Sequence, residues 1–173
     1  MVILLGIASV LMIALDIARI YWNPVKNFYL KILGKVLREH EINNRKSLFT
    51  GGTYLVISTF FIVLIFPMPV AVCSILIICY SDSAAAIIGK PFGRIKIFNK
   101  TLEGSIAFFI VGLAIIFLTP KVSADSFEMQ IAVFSLIICT IFEIIPVKID
   151  DNISLPLVFS FTYYILLKLF NLY

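Results

Sequence analysis

The residues able to do chemistry gather in a few places along the chain. The longest cluster runs from Ser81-Asp82-Ser83-Ala84-Ala85-Ala86 through Gly89-Lys90-Pro91-Phe92-Gly93-Arg94 to Asn99-Lys100-Thr101-Leu102-Glu103-Gly104-Ser105. It opens with a carboxylate at the end of an apolar run and passes through small residues and glycines. It closes with a lysine, a hydroxyl and a second carboxylate. That inventory suits a metal and a phosphate: acids for a hard divalent cation, an ammonium and backbone N–H groups for phosphate oxygens. A plain basic loop between membrane helices has the same composition.

Each part of the cluster has a second reading. Asp82 follows the largely apolar run Cys73 to Tyr80, where a carboxylate costs about 2.5 to 3.5 kcal/mol unless a cation, a basic partner or water compensates it. On a helix continuing through Asp82, the residues Ala85, Ala86 and Gly89 share its face. They leave a groove that a nucleotide or another backbone could enter, and the Gly89-x-x-x-Gly93 spacing suits helix packing equally well. Lys100 and Thr101 precede a fourth apolar run. Thr101 is suited to cap that helix and Glu103 to favour its dipole, while a helix N-terminus is also an anion site. No G-x-x-x-x-G-K-[ST] sequence is present, so this is not a P-loop. A second cluster, Glu143 with Pro146 and then Asp150-Asp151-Asn152 and Pro156, fits either a cation-binding loop or a solvated turn. His40 is the only histidine and reads as a surface residue.

These clusters lie between helices built for a bilayer. The chain has 173 residues, 61% of them hydrophobic and 14% charged, with a mean hydropathy of +1.08. That is far more apolar than a soluble domain. The expected fold class is an all-α integral membrane protein: one domain over residues 1–173, a polytopic bundle of about six short transmembrane helices plus an amphipathic cytoplasmic helix. Net charge is +4, without a long basic run, which argues against nucleic acid as a partner and for lipid headgroups. Cys73, Cys79 and Cys139 lie in apolar runs and read as small hydrophobes, not as a disulfide frame.

The first span runs from Met1 to about Trp22, read as retained because no cleavage pattern follows it. Within it Asp16 and Arg19 stand at i, i+3, close enough to pair. Asn23 to Lys46 reads as the amphipathic surface helix. Ser47 to Ser81 carries no charge for 35 residues, about 52 Å as one helix, so it must turn. Pro67-Met68-Pro69 is the place, giving a hairpin of two short helices, with a fused or re-entrant hairpin as the alternative. Gly104 to Pro120, Met129 to Phe142 and Asn152 to Leu167 are the remaining spans. They are uncharged for 14 to 17 residues only, so their charged ends belong in the headgroup zone.

With six spans, the loops after the first, third and fifth share a side. They hold 12 of the 14 basic residues, which places them in the cytoplasm and both termini outside. The same face collects Asp16, Glu39, Glu41, Asp82, Glu103, Glu143, Asp150 and Asp151, eight of the ten acids. Bases and acids together suit an anionic nucleotide with its cation.

The central stretch resembles the pattern D-x-x-A-x-x-x-G-x-x-x-G followed by K-[ST]-x-E-G-S. Here it is Asp82 to Gly93 and then Lys100-Thr101-Leu102-Glu103-Gly104-Ser105. The pattern is similar to that of the CTP-dependent lipid kinases, the group of dolichol kinase, phytol kinase and the fungal-type diacylglycerol kinase. The resemblance extends to Arg38-Glu39-His40-Glu41, to Phe49-Thr50-Gly51-Gly52-Thr53-Tyr54, and to Glu143-x-x-Pro146 with Asp150-Asp151-Asn152-x-x-x-Pro156.

It implies transfer of the γ-phosphate of CTP to the hydroxyl of a membrane lipid alcohol, with Mg²⁺ or another divalent cation. The membrane would be the inner cell membrane of a prokaryote or the endoplasmic reticulum of a eukaryote. The implied catalytic residues are Asp82, Lys100 and Glu103. The implied nucleotide contacts are Ala85, Gly89, Gly93, Arg94, Lys100, Thr101, Gly104, Ser105 and Asn152, and the implied metal ligands are Asp82, Asp150 and Asp151. The R-K-x-x-H element of longer relatives is incomplete, because Arg45-Lys46-x-x-Phe49 lacks the histidine. The phosphatidate cytidylyltransferase signature is absent. Cytidylyl transfer to phosphatidic acid and non-catalytic lipid transport or scaffolding are the alternative functions.

Overall fold

The computed structural model describes residues 1–33, 49–123 and 125–173. The continuation of the amphipathic helix from Gly34 to Lys46 lies outside the described residues, as do His40, the Arg38 to Glu41 motif and Arg45-Lys46.

The chain is an all-α membrane bundle. Its helices are α1 (Val2–Tyr21), α2 (Asn23–Leu33), α3 (Gly51–Ile65), α4 (Met68–Phe92), α5 (Leu102–Leu118), α6 (Phe127–Ile144) and α7 (Asp151–Leu169). Helices α1, α4, α6 and α7 are long and apolar enough to cross a membrane, and α3 and α5 are apolar but shorter. At 1.5 Å per residue the short pair reach about 22 and 25 Å, against about 30 Å of hydrocarbon. The six apolar runs of the sequence thus appear as six helices.

The chain divides into two compact units, Met1–Phe60 and Phe61–Tyr173. In the first, α1 and the start of α3 meet through small and polar groups. Gly6 leaves room for the Phe60 ring, which a Cβ would meet at 3.2 Å. Asp16, only 1% exposed, accepts hydrogen bonds from Thr50 N (2.8 Å), Thr50 Oγ1 (3.2 Å) and Thr53 Oγ1 (2.7 Å). Its other oxygen lies 3.7 Å from Arg19 Nε, whose guanidinium stands over the Tyr29 ring. A carboxylate at this depth is tolerable because donors surround it.

In the second unit the core is formed by Val70, Ile77, Phe108, Ile116, Leu136 and Phe159, all at most 1% exposed. The chain turns between α3 and α4 at Pro67, the cap of α4, with Pro69 in the first turn, where a missing N–H costs nothing. Helix α4 differs from expectation. It does not end near Ser81 but continues to Phe92, with a π-helical segment at Ile77–Ser81 in its middle. Only Gly93 to Thr101 interrupts the helices. That interruption holds a short hairpin of β1 (Lys96–Ile97) and β2 (Lys100–Thr101), pairing Ile97 with Lys100.

The extra length of α4 has a packing cause. Its Ala85, Gly89 and Gly93 face lies against the start of α5. A Cβ on Gly93 would stand 2.3 Å from the Gly89 carbonyl oxygen and 2.4 Å from Thr101 Cγ2, and one on Gly89 would be 2.7 Å from Thr101 Oγ1. Small residues that look like loop composition let two backbones approach closely.

Candidate functional site

Lys100 is the centre of the site. Strand β2 delivers it beside the first turn of α7 and the last turn of α6. Its Nζ lies 2.8 Å from Glu143 Oε1 and 2.9 Å from Asp151 Oδ2. The Glu143 side chain is 1% exposed, whereas Lys100 and Asp151 are 31% and 34% exposed. The second Glu143 oxygen accepts a hydrogen bond from Ser105 Oγ at 2.9 Å. Burial pushes the Lys100 ammonium down, but the two carboxylates outweigh it and hold its pKa above the ordinary lysine value of 10.5. The site therefore presents a permanently charged lysine, fixed from below by a buried acid and met from outside by a half-exposed one. The two loops it joins were expected on one side of the bundle, and they meet there.

The surrounding residues support this arrangement. Thr101 caps α5, accepting from Gly104 N at 3.2 Å. Ile95 N donates to both Glu103 oxygens at 3.3 Å, so Glu103 holds the entry of the hairpin over α5. Asp150 caps α7: its Oδ1 accepts from Asn152 N at 2.9 Å and from Asn152 Nδ2 at 2.8 Å. Asp82 is half-buried in the first turn after the π segment. Helices α4 and α5 pack extensively, and the π segment contacts both α5 and α7. Arg94 is exposed on the hairpin arm, with Lys90 and Lys96 exposed beside it in sequence.

Several expected site residues have other surroundings. The face of Ala85, Gly89 and Gly93 is not an open groove, because Thr101 and Gly104 pack into it. Gly104 and Ser105 are buried, and the Ser105 hydroxyl turns inward to Glu143 and the Thr101 carbonyl. The structure also adds residues. Glu143 emerges as the buried partner of Lys100, where the sequence showed only an acid in a loop. Thr50 and Thr53, part of a flanking motif without an assigned role, secure Asp16. Glu143-x-x-Pro146 and the threonine spacing were the available signals, but neither names a partner.

Among the described residues, no group of three or more His, Cys, Asp or Glu is placed to hold a metal ion. The Lys100 ammonium fills the position between Glu143 and Asp151 that a cation would otherwise take, and Asp150 is engaged as a helix cap. Among the described residues Asp82, Asp150 and Asp151 do not by themselves form such a group.

No family model matches the chain, and no solved structure does. Among curated proteins, CTP-dependent diacylglycerol kinase 1 of Schizosaccharomyces pombe is 30% identical over 57% of this chain and 44% of its own length. A probable chloroplastic phytol kinase of Triticum aestivum is 35% identical over 65% of this chain and 43% of its own. An uncharacterised protein of Methanocaldococcus jannaschii is 31% identical over 79% of this chain and 68% of its own. Over part of its length the chain is thus similar to proteins named as CTP-dependent diacylglycerol kinases and as a phytol kinase. It spans less than half the length of the relatives named as kinases that it matches. The two stretches that carry the resemblance, around Lys100 and around Asp150-Asp151-Asn152, are linked by the Lys100 to Asp151 ion pair.

Proposed function

We propose that this chain transfers the γ-phosphoryl group of CTP to the hydroxyl of a membrane lipid alcohol. The observation that carries the reading is the Lys100 ammonium between buried Glu143 and half-exposed Asp151, within the stretches on which the resemblance to the kinases rests. An ammonium has three donors. Glu143 and Asp151 engage two, which leaves one for a phosphate oxygen, and an incoming phosphate can also compete with Asp151. Glu143 keeps Lys100 in place throughout. Exposed Lys90, Arg94 and Lys96 add positive charge for the rest of the triphosphate.

Phosphoryl transfer asks for positioning and charge neutralisation more than covalent chemistry from the protein. The acceptor oxygen forms its bond to the γ-phosphorus as the bond to the bridging oxygen breaks, and CDP leaves. The acceptor proton passes to a carboxylate, a role we propose for Glu103 or for half-buried Asp82. No step is routed through a protein-held metal. An apolar groove of about 450 Å³ between α4 and α5, lined by Leu76, Tyr80, Val111, Ala114 and Leu118, offers an aliphatic chain a path along the helix that carries Asp82. The abundance of basic residues in the loops at the Lys100 end supports a cytoplasmic position for that end.

The test supplies the purified chain with γ-labelled or α-labelled CTP and a panel of dioleoylglycerol, phytol and a polyprenol. Label from the γ position in lipid is the expected result, lost in Asp82→Asn without loss of membrane insertion. Label from the α position means cytidylyl transfer, and no label in lipid overturns the reading.

A further inference from the structure

Hydroxyl side chains in the helices of this chain generally donate to the carbonyl four residues back, the usual solution for serine and threonine in an apolar helix. Ser135 does so to Ile131 (2.8 Å), Thr140 to Leu136 (2.8 Å) and Thr162 to Val158 (2.7 Å). Ser83, two residues beyond Ser81, donates to Cys79 at 2.6 Å. Ser81 does not. It is 0% exposed, and its Oγ has no hydrogen-bond partner among the described residues. The cause is local. Ser81 closes the π-helical segment Ile77–Ser81, whose wider turn shifts the carbonyls away from their α-helical positions. A buried hydroxyl without a partner carries an uncompensated desolvation cost. Such a group, like a π segment, is found disproportionately where a ligand binds.

Its depth can be fixed from a neighbouring contact. Ser74 Oγ donates to the Pro156 carbonyl at 2.7 Å, which sets the register of α4 against α7. Ser81 lies seven residues further along α4, about 10 Å toward the end where α5 and α7 begin. Asp151 lies five residues before Pro156, about 7.5 Å toward the same end. Ser81 therefore stands near the level of Asp151, the partner of Lys100, and directly precedes Asp82. The π segment that holds it contacts both α5 and α7.

We propose that Ser81 is a binding contact for the hydroxyl of the lipid alcohol, an assignment that rests on the lipid-kinase reading and adds a residue to it. A serine hydroxyl both donates and accepts, which matches an alcohol O–H. Ser81 is buried on the helix whose Leu76 and Tyr80 line the apolar groove, so an acceptor entering along that groove comes closer to it than a nucleotide arriving from solution.

The experiment uses the full chain in nanodiscs, comparing wild type with Ser81→Ala, Ser81→Cys and Ser160→Ala. Ser160 is the matched control: it is also 0% exposed and without a partner for its Oγ, but lies four residues beyond Pro156, away from the site. With dioleoylglycerol as acceptor, Ser81→Ala raises the KM for the lipid about fivefold, the loss of one hydrogen bond between neutral groups. The KM for CTP and the kcat stay within about twofold. Ser81→Cys recovers part of the loss, and Ser160→Ala shows none. Thermal stability of Ser81→Ala is equal to wild type or higher, because an unmade hydrogen bond has been removed.

A lipid KM unchanged in Ser81→Ala, a rise in the KM for CTP instead, or a lower melting temperature overturns the proposal. The last outcome would show that the hydroxyl serves the fold. A second readout, equilibrium binding of fluorescent diacylglycerol without nucleotide, separates the two readings. Weaker binding in Ser81→Ala with no turnover by wild type keeps Ser81 and discards the kinase. Turnover by wild type with unchanged binding does the reverse.

Discussion

Helix α5 has a buried glutamate near each of its ends, and the two are used in opposite ways. At its start, Glu143 is 2% exposed and bonded to Ser105 and Lys100, and Lys100 in turn reaches the half-exposed Asp151. Beyond its end, Glu128 is 0% exposed and accepts from Val122 N (2.8 Å), Ser123 N (2.5 Å) and the Tyr163 hydroxyl. Nearby, Lys121 Nζ donates to the Thr119 carbonyl at 2.8 Å and to that of Ile116, where a cation also answers the helix dipole. The donors of the Glu128 end are backbone groups and a phenol, so the acid closes a loop and offers little to a ligand. The Glu143 end instead holds a partly exposed cation in contact with the outside. Burial of a carboxylate alone does not mark a site; what distinguishes the two is whether the partner can still bind something else.

The strongest test of that contrast replaces the cation. Lys100→Met leaves Glu143 buried without its counter-charge and should cost about 3 kcal/mol, the low end for a broken buried pair because Lys100 is partly exposed. Turnover should fall about a hundredfold or more, as when one preorganised charge is removed from a transition state. The double variant Lys100→Met/Glu143→Gln removes both charges, so thermal denaturation should show most of the stability restored, while labelled-CTP assays show activity still absent. Normal turnover in the double variant would make this end as purely structural as the other.

A smaller effect is expected at the Glu128 end. Glu128→Gln keeps the shape but turns one acceptor into a donor facing the loop N–H groups or Tyr163, at a cost of about 1 to 3 kcal/mol. Tyr163→Phe should cost about 1 kcal/mol. In both, the melting temperature drops while kcat and both KM values hold. A loss of kcat matching that of the Lys100→Met/Glu143→Gln double variant would erase the distinction between the ends.

The features legible in the sequence were those set by neighbours along the chain. The Asp16 to Arg19 pair is an i, i+3 spacing, the Thr101 cap a hydroxyl three residues before an N–H, and the turn at Pro67 a missing donor. Six apolar runs became six apolar helices for the same reason. The contacts that make the site are of another kind. Lys100 meets Asp151 across 51 residues, and Ser105 meets Glu143 across 38. No periodicity encodes them. Gly89 and Gly93 illustrate the ambiguity: a close helix contact and a ligand groove both require missing side chains, and only the fold shows that Thr101 and Gly104 fill the space. The π segment was invisible because Ile77 to Ser81 is an ordinary apolar run whose extra residue per turn has no compositional sign.

The smallest predicted effect is in alkaline solution, and it separates the ends by charge. The folded chain holds the Lys100 proton more tightly than the unfolded chain, since its pKa is raised above 10.5 by Glu143 and Asp151. The resulting stabilisation is complete below pH 10.5 and is lost as the pH rises through the higher folded-state value, because the folded state then binds more protons than the unfolded one. Other lysines and the tyrosines titrate in the same range, so the informative quantity is a difference between variants. Melting curves from pH 9 upward should fall more steeply for wild type than for Lys100→Met/Glu143→Gln. If instead the double variant loses stability as steeply as wild type, the lysine is too well screened by solvent to be held as firmly as its two carboxylates imply.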